Sequence, residues 1–225
     1  RRRLRSGPWF VLAPLIALLV LTAASAAWAV DPLYAGYCAL RQLLLLGLYL
    51  LLVNLALPRA WLTGGIALSV VIQAVIGLLQ VERGLSLGLQ RLGELQLHPE
   101  WPGVSVVMTA DARWLRAYGL TQHPNLLGGL LVALLLMLVG LYVDLERRRF
   151  WPKMALSAVY ALGLTALLFT FSRGAWLAAA VGGVTLIAIV LRARRPVWRQ
   201  LLPLIALTLL IGAWFTATQW SLLRP

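Results

Sequence analysis

Residues 125–143 read NLLGGLLVALLLMLVGLYV, an apolar run without a single charge. Wound as an α-helix at 1.5 Å per residue, it is long enough to cross the ~30 Å hydrocarbon core of a bilayer. Lipid offers no partner to backbone N–H and C=O groups, so a run of this kind must cross as a helix. Working outward, similar runs occupy 9–29, 33–57 and 61–81 before it and 154–171, 175–191 and 201–217 after it. The expected fold is therefore all-α: a polytopic transmembrane helix bundle of about seven spans. Residues 1–225 read as one transmembrane domain. The chain begins without Met and stops at Leu223-Arg224-Pro225, which reads as part of a longer protein.

Composition agrees. The 225 residues are 61% hydrophobic and 12% charged, with mean hydropathy +0.86. Soluble domains carry about 45–50% apolar residues and about 25% charged ones, so the apolar excess has to face membrane lipids. The net charge of +13 does not indicate nucleic acid, because the basic residues sit in short clusters between apolar runs. The lone Cys38 excludes an internal disulfide and a cysteine-based metal site. Residues 1–30 also resemble a signal peptide ending in Ala27-Trp28-Ala29. Their apolar stretch is long enough to cross, however, and six more runs follow.

The charges set an orientation. Arg1, Arg2, Arg3 and Arg5, then Arg59, then Arg147, Arg148, Arg149 and Lys153, then Arg192, Arg194, Arg195 and Arg199 fall on one side of the alternating runs. Only Asp144 and Glu146 oppose them there. The other side mixes Arg83, Arg91, Arg113, Arg116, Arg173 and Arg224 with Asp31, Glu82, Glu94, Glu100 and Asp111. The excess of arginine places the first side, with the N-terminus, in the cytoplasm. Tryptophans near the run ends, such as Trp9, Trp61 and Trp151, read as interfacial anchors. Gly174, Ala178 and Gly182 form a small-residue stripe suited to close helix packing.

Residues 82–122 are then an extracytoplasmic loop, too long to be structureless. Its leucine-rich part, 85–97, fits a surface helix or an extended piece equally well. His98-Pro99-Glu100-Trp101-Pro102-Gly103 is a break. Residues 110–120 suggest a short helix entered from Thr109 or Asp111, carrying Arg113 and Arg116.

Two arginines stand at span mouths on the sparsely basic side. Arg173 lies between the fifth and sixth runs with almost no loop, so it should tip a tight hairpin. Its guanidinium could fork onto phosphate oxygens or simply snorkel to the headgroups. Arg116 precedes the entry to the fourth run, His123-Pro124-Asn125. Pro124 suits a first helical turn, with Gln122 or His123 at the cap and the helix N-terminus open to an anion. His123 could act as a base or only as a hydrogen-bonding residue. Asn125 could contact substrate or cap the helix. Arg41, with Gln42, lies about two turns inside the second run and should face the bundle or a polar cavity. Asn54 and Gln73 should make interhelical hydrogen bonds. The scattered acids give no metal site, and no phosphate-binding glycine loop, zinc-helix motif or nucleophile elbow is present.

Arg116-Ala-Tyr-Gly, His123-Pro-Asn-Leu-Leu-Gly128 and Ser172-Arg-Gly-Ala-Trp-Leu177, with Arg41-Gln-Leu-Leu in an early run, together resemble the O-antigen ligase and polymerase superfamily. The resemblance covers most of the chain, from Trp9 to Leu191. It implies a glycosyltransferase of the bacterial inner (plasma) membrane, without metal or cofactor. The donor would be a polyprenyl-pyrophosphate-linked glycan, and the acceptor a lipid A core, another repeat unit or a protein hydroxyl. Arg116 and Arg173 would be the catalytic groups, holding the pyrophosphate. Arg41, His123, Asn125 and Ser172 would bind substrate. Ligases of this family also carry a large outer loop with a functional histidine after a later span. The base is therefore expected outside residues 1–225. The same superfamily implies an alternative, a membrane transporter of small anions of the bicarbonate type.

Overall fold

The computed structural model describes residues 5–55, 57–109, 112–146, 149–192 and 198–220. Expectations placed on Arg1, Arg2, Arg3, Asp111, Arg147, Arg148, Arg194, Arg195 and Arg224 fall outside the described residues. The helices are α1 (Trp9–Ser25), α2 (Pro32–Asn54), α3 (Arg59–Arg83), α4 (Pro124–Asp144), α5 (Phe150–Phe169), α6 (Arg173–Arg192) and α7 (Trp198–Thr218). The strands β1 (Val106–Met108) and β2 (Arg113–Leu115) form one antiparallel pair. The fold is the expected all-α polytopic bundle: the six helices α2 to α7 are long and apolar enough to cross a membrane. The first span is shorter than its sequence suggests. α1 has 17 residues, about 25 Å at the helical rise, and residues 26–28 turn instead of continuing it.

The chain forms two compact units, Arg1–Leu62 and Thr63–Pro225. In the first, α1 and α2 pack together. Asp31 starts α2 by accepting from the Tyr34 N–H at 2.9 Å, with Pro32 in the first turn where its missing N–H costs nothing. Asn54 exchanges two bonds with the Arg5 backbone, at 2.8 and 2.9 Å, so the end of α2 returns to the start of the chain. That is a helix-to-backbone bond rather than the interhelical one expected.

In the second unit α4 lies at the centre, packed on α5, α6 and α7. Leu127, Leu131, Leu135, Leu138 and Tyr142 recur every three or four residues and are buried, so one stripe of α4 faces its neighbours. Glycines set the close approaches. A Cβ on Gly163 of α5 would stand 2.6 Å from Val70 of α3 and 2.9 Å from Leu135 of α4. One on Gly182 of α6 would meet Leu136 of α4 at 2.6 Å, whereas Gly174 at the other end of the small-residue stripe faces open space. The stripe therefore closes on α4 only at its deep end.

The segment joining α3 to α4 is folded, not a structureless loop. Its leucine-rich part is neither a regular helix nor a strand: a single 3-10 turn, Gln90–Leu92, ends at Gly93 with φ +93, a conformation glycine adopts without penalty. Leu97, Leu115 and Tyr118 form a small buried cluster with Val104. The helix expected over 110–120 is absent where the residues are described. Thr109 instead closes a turn through its backbone and hydroxyl bonds to Ala112, and Arg113–Leu115 pairs with Val106–Met108. An isolated helix of three turns is marginal. A Val-Val-Met partner strand offers the alternative, and Leu115 buries itself by taking it.

Candidate functional site

α5 and α6 meet in a turn of three residues, Thr170, Phe171 and Ser172. Thr170 is fully buried; its hydroxyl donates to the Leu167 carbonyl at 2.6 Å and accepts from the Ser172 N–H at 3.3 Å. Phe171 takes φ +48, left-handed for a residue with a side chain, a conformation costing about 1–2 kcal/mol. Aromatic packing offsets it. Phe215 of α7 lies 5.2, 5.6 and 6.0 Å, centroid to centroid, from Phe169, Phe171 and Trp176. The Ser172 hydroxyl accepts a long bond, 3.4 Å, from the Ala175 N–H, so this buried serine caps α6. The helix then starts at Arg173, as the tight hairpin predicts.

α4 approaches this turn at Gly128. A Cβ there would lie 2.8 Å from the Ala175 Cβ, 3.2 Å from the Ser172 Cβ and 3.3 Å from the Thr170 hydroxyl. Its cap is His123, whose Nδ1 accepts from the Asn125 N–H at 3.1 Å. An accepting Nδ1 puts the proton of a neutral ring on Nε2, which then donates to the Ser105 hydroxyl at 3.0 Å. Both ring nitrogens of His123 are thus engaged in holding the start of α4, and neither lines the site. Asn125 is not the cap; it stands one turn position further on.

Arg116 follows directly on β2 and reaches across to this junction. Its Nε donates to the Thr170 carbonyl at 2.6 Å, and a terminal nitrogen donates to the Asn125 side chain at 2.9 Å. The neighbouring Ala117 N–H donates to the Phe169 carbonyl at 2.9 Å. The cation therefore caps the negative end of the α5 dipole, a favourable placement. Burial draws the Arg116 pKa below its ordinary value, against an opposing contribution from Tyr118. A guanidinium remains charged at neutral pH even so.

These elements border an open cavity of about 940 Å³. Arg116, Asn125, Ser172 and Arg173 all line it, with Val107, Met108 and Trp176 giving an apolar side. Among the described residues, neither carboxylate nor lysine is in the lining. The first turns of α4 and α6 both border it, so two positive helix ends add to two guanidinium groups. Arg173 is exposed, and among the described residues no carboxylate pairs with it. By contrast Arg113 is engaged with Glu100 at 3.3 Å and takes no part. Arg41 belongs to the other unit, where its guanidinium lies 5.8 Å from the Tyr37 ring centroid. Of the residues singled out by sequence, Arg116, Arg173, Asn125 and Ser172 therefore share one cavity, and His123 supports it from behind. Thr170, Phe171, Gly128 and the β1 wall were not singled out. Only the glycine pair Gly128-Gly129 at a span entry carried a visible hint of close packing.

Electrostatically the cavity suits an anion with several oxygens, and the apolar wall beside the cations suits an amphiphile. No family model, no curated protein and no solved structure matches the chain.

Proposed function

We propose that this chain carries the donor site of an integral-membrane glycosyltransferase of the O-antigen ligase type, acting at the outer face of the bacterial inner membrane. The observation that carries the reading is the shared cavity of Arg116 and Arg173, rimmed by two helix N-termini and lined by no carboxylate among the described residues. The donor would be a polyprenyl-pyrophosphate-linked glycan, with its pyrophosphate between the two arginines and its hydrocarbon on the side of Val107, Met108 and Trp176. An acceptor hydroxyl, on a lipid A core, a repeat unit or a protein, attacks the anomeric carbon. The bond from that carbon to the phosphate oxygen breaks, and its electron pair stays on the departing pyrophosphate. The hydroxyl proton passes to a general base. The two guanidinium groups stabilise the charge that grows on the leaving group, where fixed donors act most strongly.

The test is glycan transfer by the full-length parent protein from a polyprenyl-pyrophosphate-linked oligosaccharide, at matched expression. Arg116→Ala and Arg173→Ala should each lower turnover about 100-fold or more, the usual loss for one charge-stabilising donor. Undiminished transfer in both variants would sink the reading. A folded parent that transfers to no acceptor but carries bicarbonate across vesicles would replace it with anion transport.

A further inference from the structure

Arg116 sits on no helix or strand, so something else must aim it. The strap that follows it, Ala117 to Leu120, is held from below by the end of α3. Gln80 is completely buried there, and its Oε1 accepts from the N–H groups of Tyr118 and Gly119 at 3.2 and 2.8 Å. Its Nε2 donates to the Gly119 carbonyl at 3.0 Å and to Glu94 Oε1 at 2.8 Å. One turn pair earlier on the same helix, Gln73 accepts from the Leu120 N–H at 2.9 Å.

Glu94 decides which way the Gln80 amide points. An ionised carboxylate only accepts, so the amide must turn its NH2 toward it and its oxygen toward the strap. Glu94 is itself fixed in that role by the N–H groups of Leu87 and Leu89, at 2.7 and 2.6 Å. Gly119 completes the fit: it has φ +59, and a Cβ there would collide with Gln73 Oε1. A buried amide with four protein partners is costly to leave half satisfied, which makes this bracket rigid.

We infer that Gln80 is a positioning residue for the anion site: it fixes the strap so that Arg116 projects into the cavity, with Glu94 setting the orientation of the Gln80 amide. The inference rests on reading that cavity as a diphosphate site. It separates α3 into a membrane span and, at its last turns, a mount for the functional arginine.

The test is equilibrium binding of farnesyl diphosphate to the chain in lipid nanodiscs. Gln80→Met keeps the volume and removes every amide bond. It should weaken binding about tenfold, the equivalent of ~1.4 kcal/mol. In the Arg116→Ala background the same change should cost less than about twofold, and in the Arg173→Ala background the full tenfold, because only coupled residues fail to add. A general loosening of the fold would weaken binding equally in all three backgrounds, and that result overturns the inference. Wild-type binding that Gln80→Met leaves intact also overturns it, without touching the diphosphate reading. A folded wild-type chain that does not bind farnesyl diphosphate overturns both. If Gln80→Met fails to fold, Gln73→Met removes one strap bond only. It should weaken binding about threefold with the same pattern across backgrounds, and unchanged binding overturns the inference.

Discussion

Gly128→Ala is the sharpest perturbation of the site that touches none of its charges. The added methyl would stand 2.8 Å from the Ala175 Cβ, where ordinary contact begins near 3.4 Å, and would also press on Ser172 and Thr170. The first two are backbone-attached carbons with no rotamer to yield. α4 and the start of α6 must therefore separate by several tenths of an ångström. Overpacking of this kind costs about 1–3 kcal/mol. In detergent the unfolded reference keeps most of its helix, so the better helix propensity of alanine returns little. A loss near 2 kcal/mol corresponds to a fall of about 4–8 °C in melting temperature for a chain of this size. The neighbour supplies the control: a Cβ on Gly129 meets nothing within 4 Å. Gly129→Ala should melt within about 2 °C of wild type, as open surface substitutions do. Thermal unfolding of both purified variants, followed by tryptophan fluorescence, measures the difference. Equal melting of Gly128→Ala and wild type would refute the close approach of α4 to the α5–α6 turn. Equal loss in both variants would show that available space is not what decides.

The two arginines should part company in a stability assay. Arg116→Ala strips the Thr170 carbonyl and Asn125 of their donor and should destabilise by about 1–2 kcal/mol. Arg173→Ala should stay within about 0.5 kcal/mol of wild type, and equal losses would contradict the structural role given to Arg116. Acid should loosen the α3 bracket. Burial raises the Glu94 pKa, but the bonds from Gln80 and from the backbone of Leu87, Leu89 and Gly88 outweigh it and hold the carboxyl below its ordinary value. A group with a lower pKa folded than unfolded contributes stability fully above the unfolded value, about 4.3, and loses it as pH falls through the folded one. Melting temperature should therefore drop below about pH 4.3, and less steeply in Glu94→Gln; superimposable acid profiles would show that Glu94 carries no such contribution.

The spans were legible because each is an apolar run of bilayer length, and no packing detail is needed to see that. Their ends were legible where a cap or proline stood, as at Asp31-Pro32 and His123-Pro124. The end of α1 was not, because Ala26 to Ala29 are as apolar as the helix before them and nothing local marks the turn. The strand Arg113–Leu115 reads as part of a helix over 110–120 because its stability comes from pairing with Val106–Met108 and from burial of Leu115 against the distant Leu97, which no local pattern reports. Arg116 and Arg173 stood out because charge at a span mouth is conspicuous. Gln80 and Thr170 did not, since a polar residue near a span end reads as an ordinary surface group until its partners are known. The cap stays open between His123 and Asn125 in the sequence because spacing alone cannot say which of two nearby polar residues bonds the helix start.

The unequal tethering of the two arginines has a consequence for selectivity. Arg116 is already immobilised by the Thr170 carbonyl and Asn125, whereas Arg173 is exposed and keeps its rotamers. A single phosphate group can therefore seat against a stationary cation with no further loss of side-chain entropy. A second phosphate must arrest the mobile one, which surrenders up to about 2 kcal/mol of rotameric freedom. Charge counting alone would predict a steep preference for two phosphates over one. This cavity should flatten that preference, so that an amphiphile bearing one phosphate competes with one bearing two.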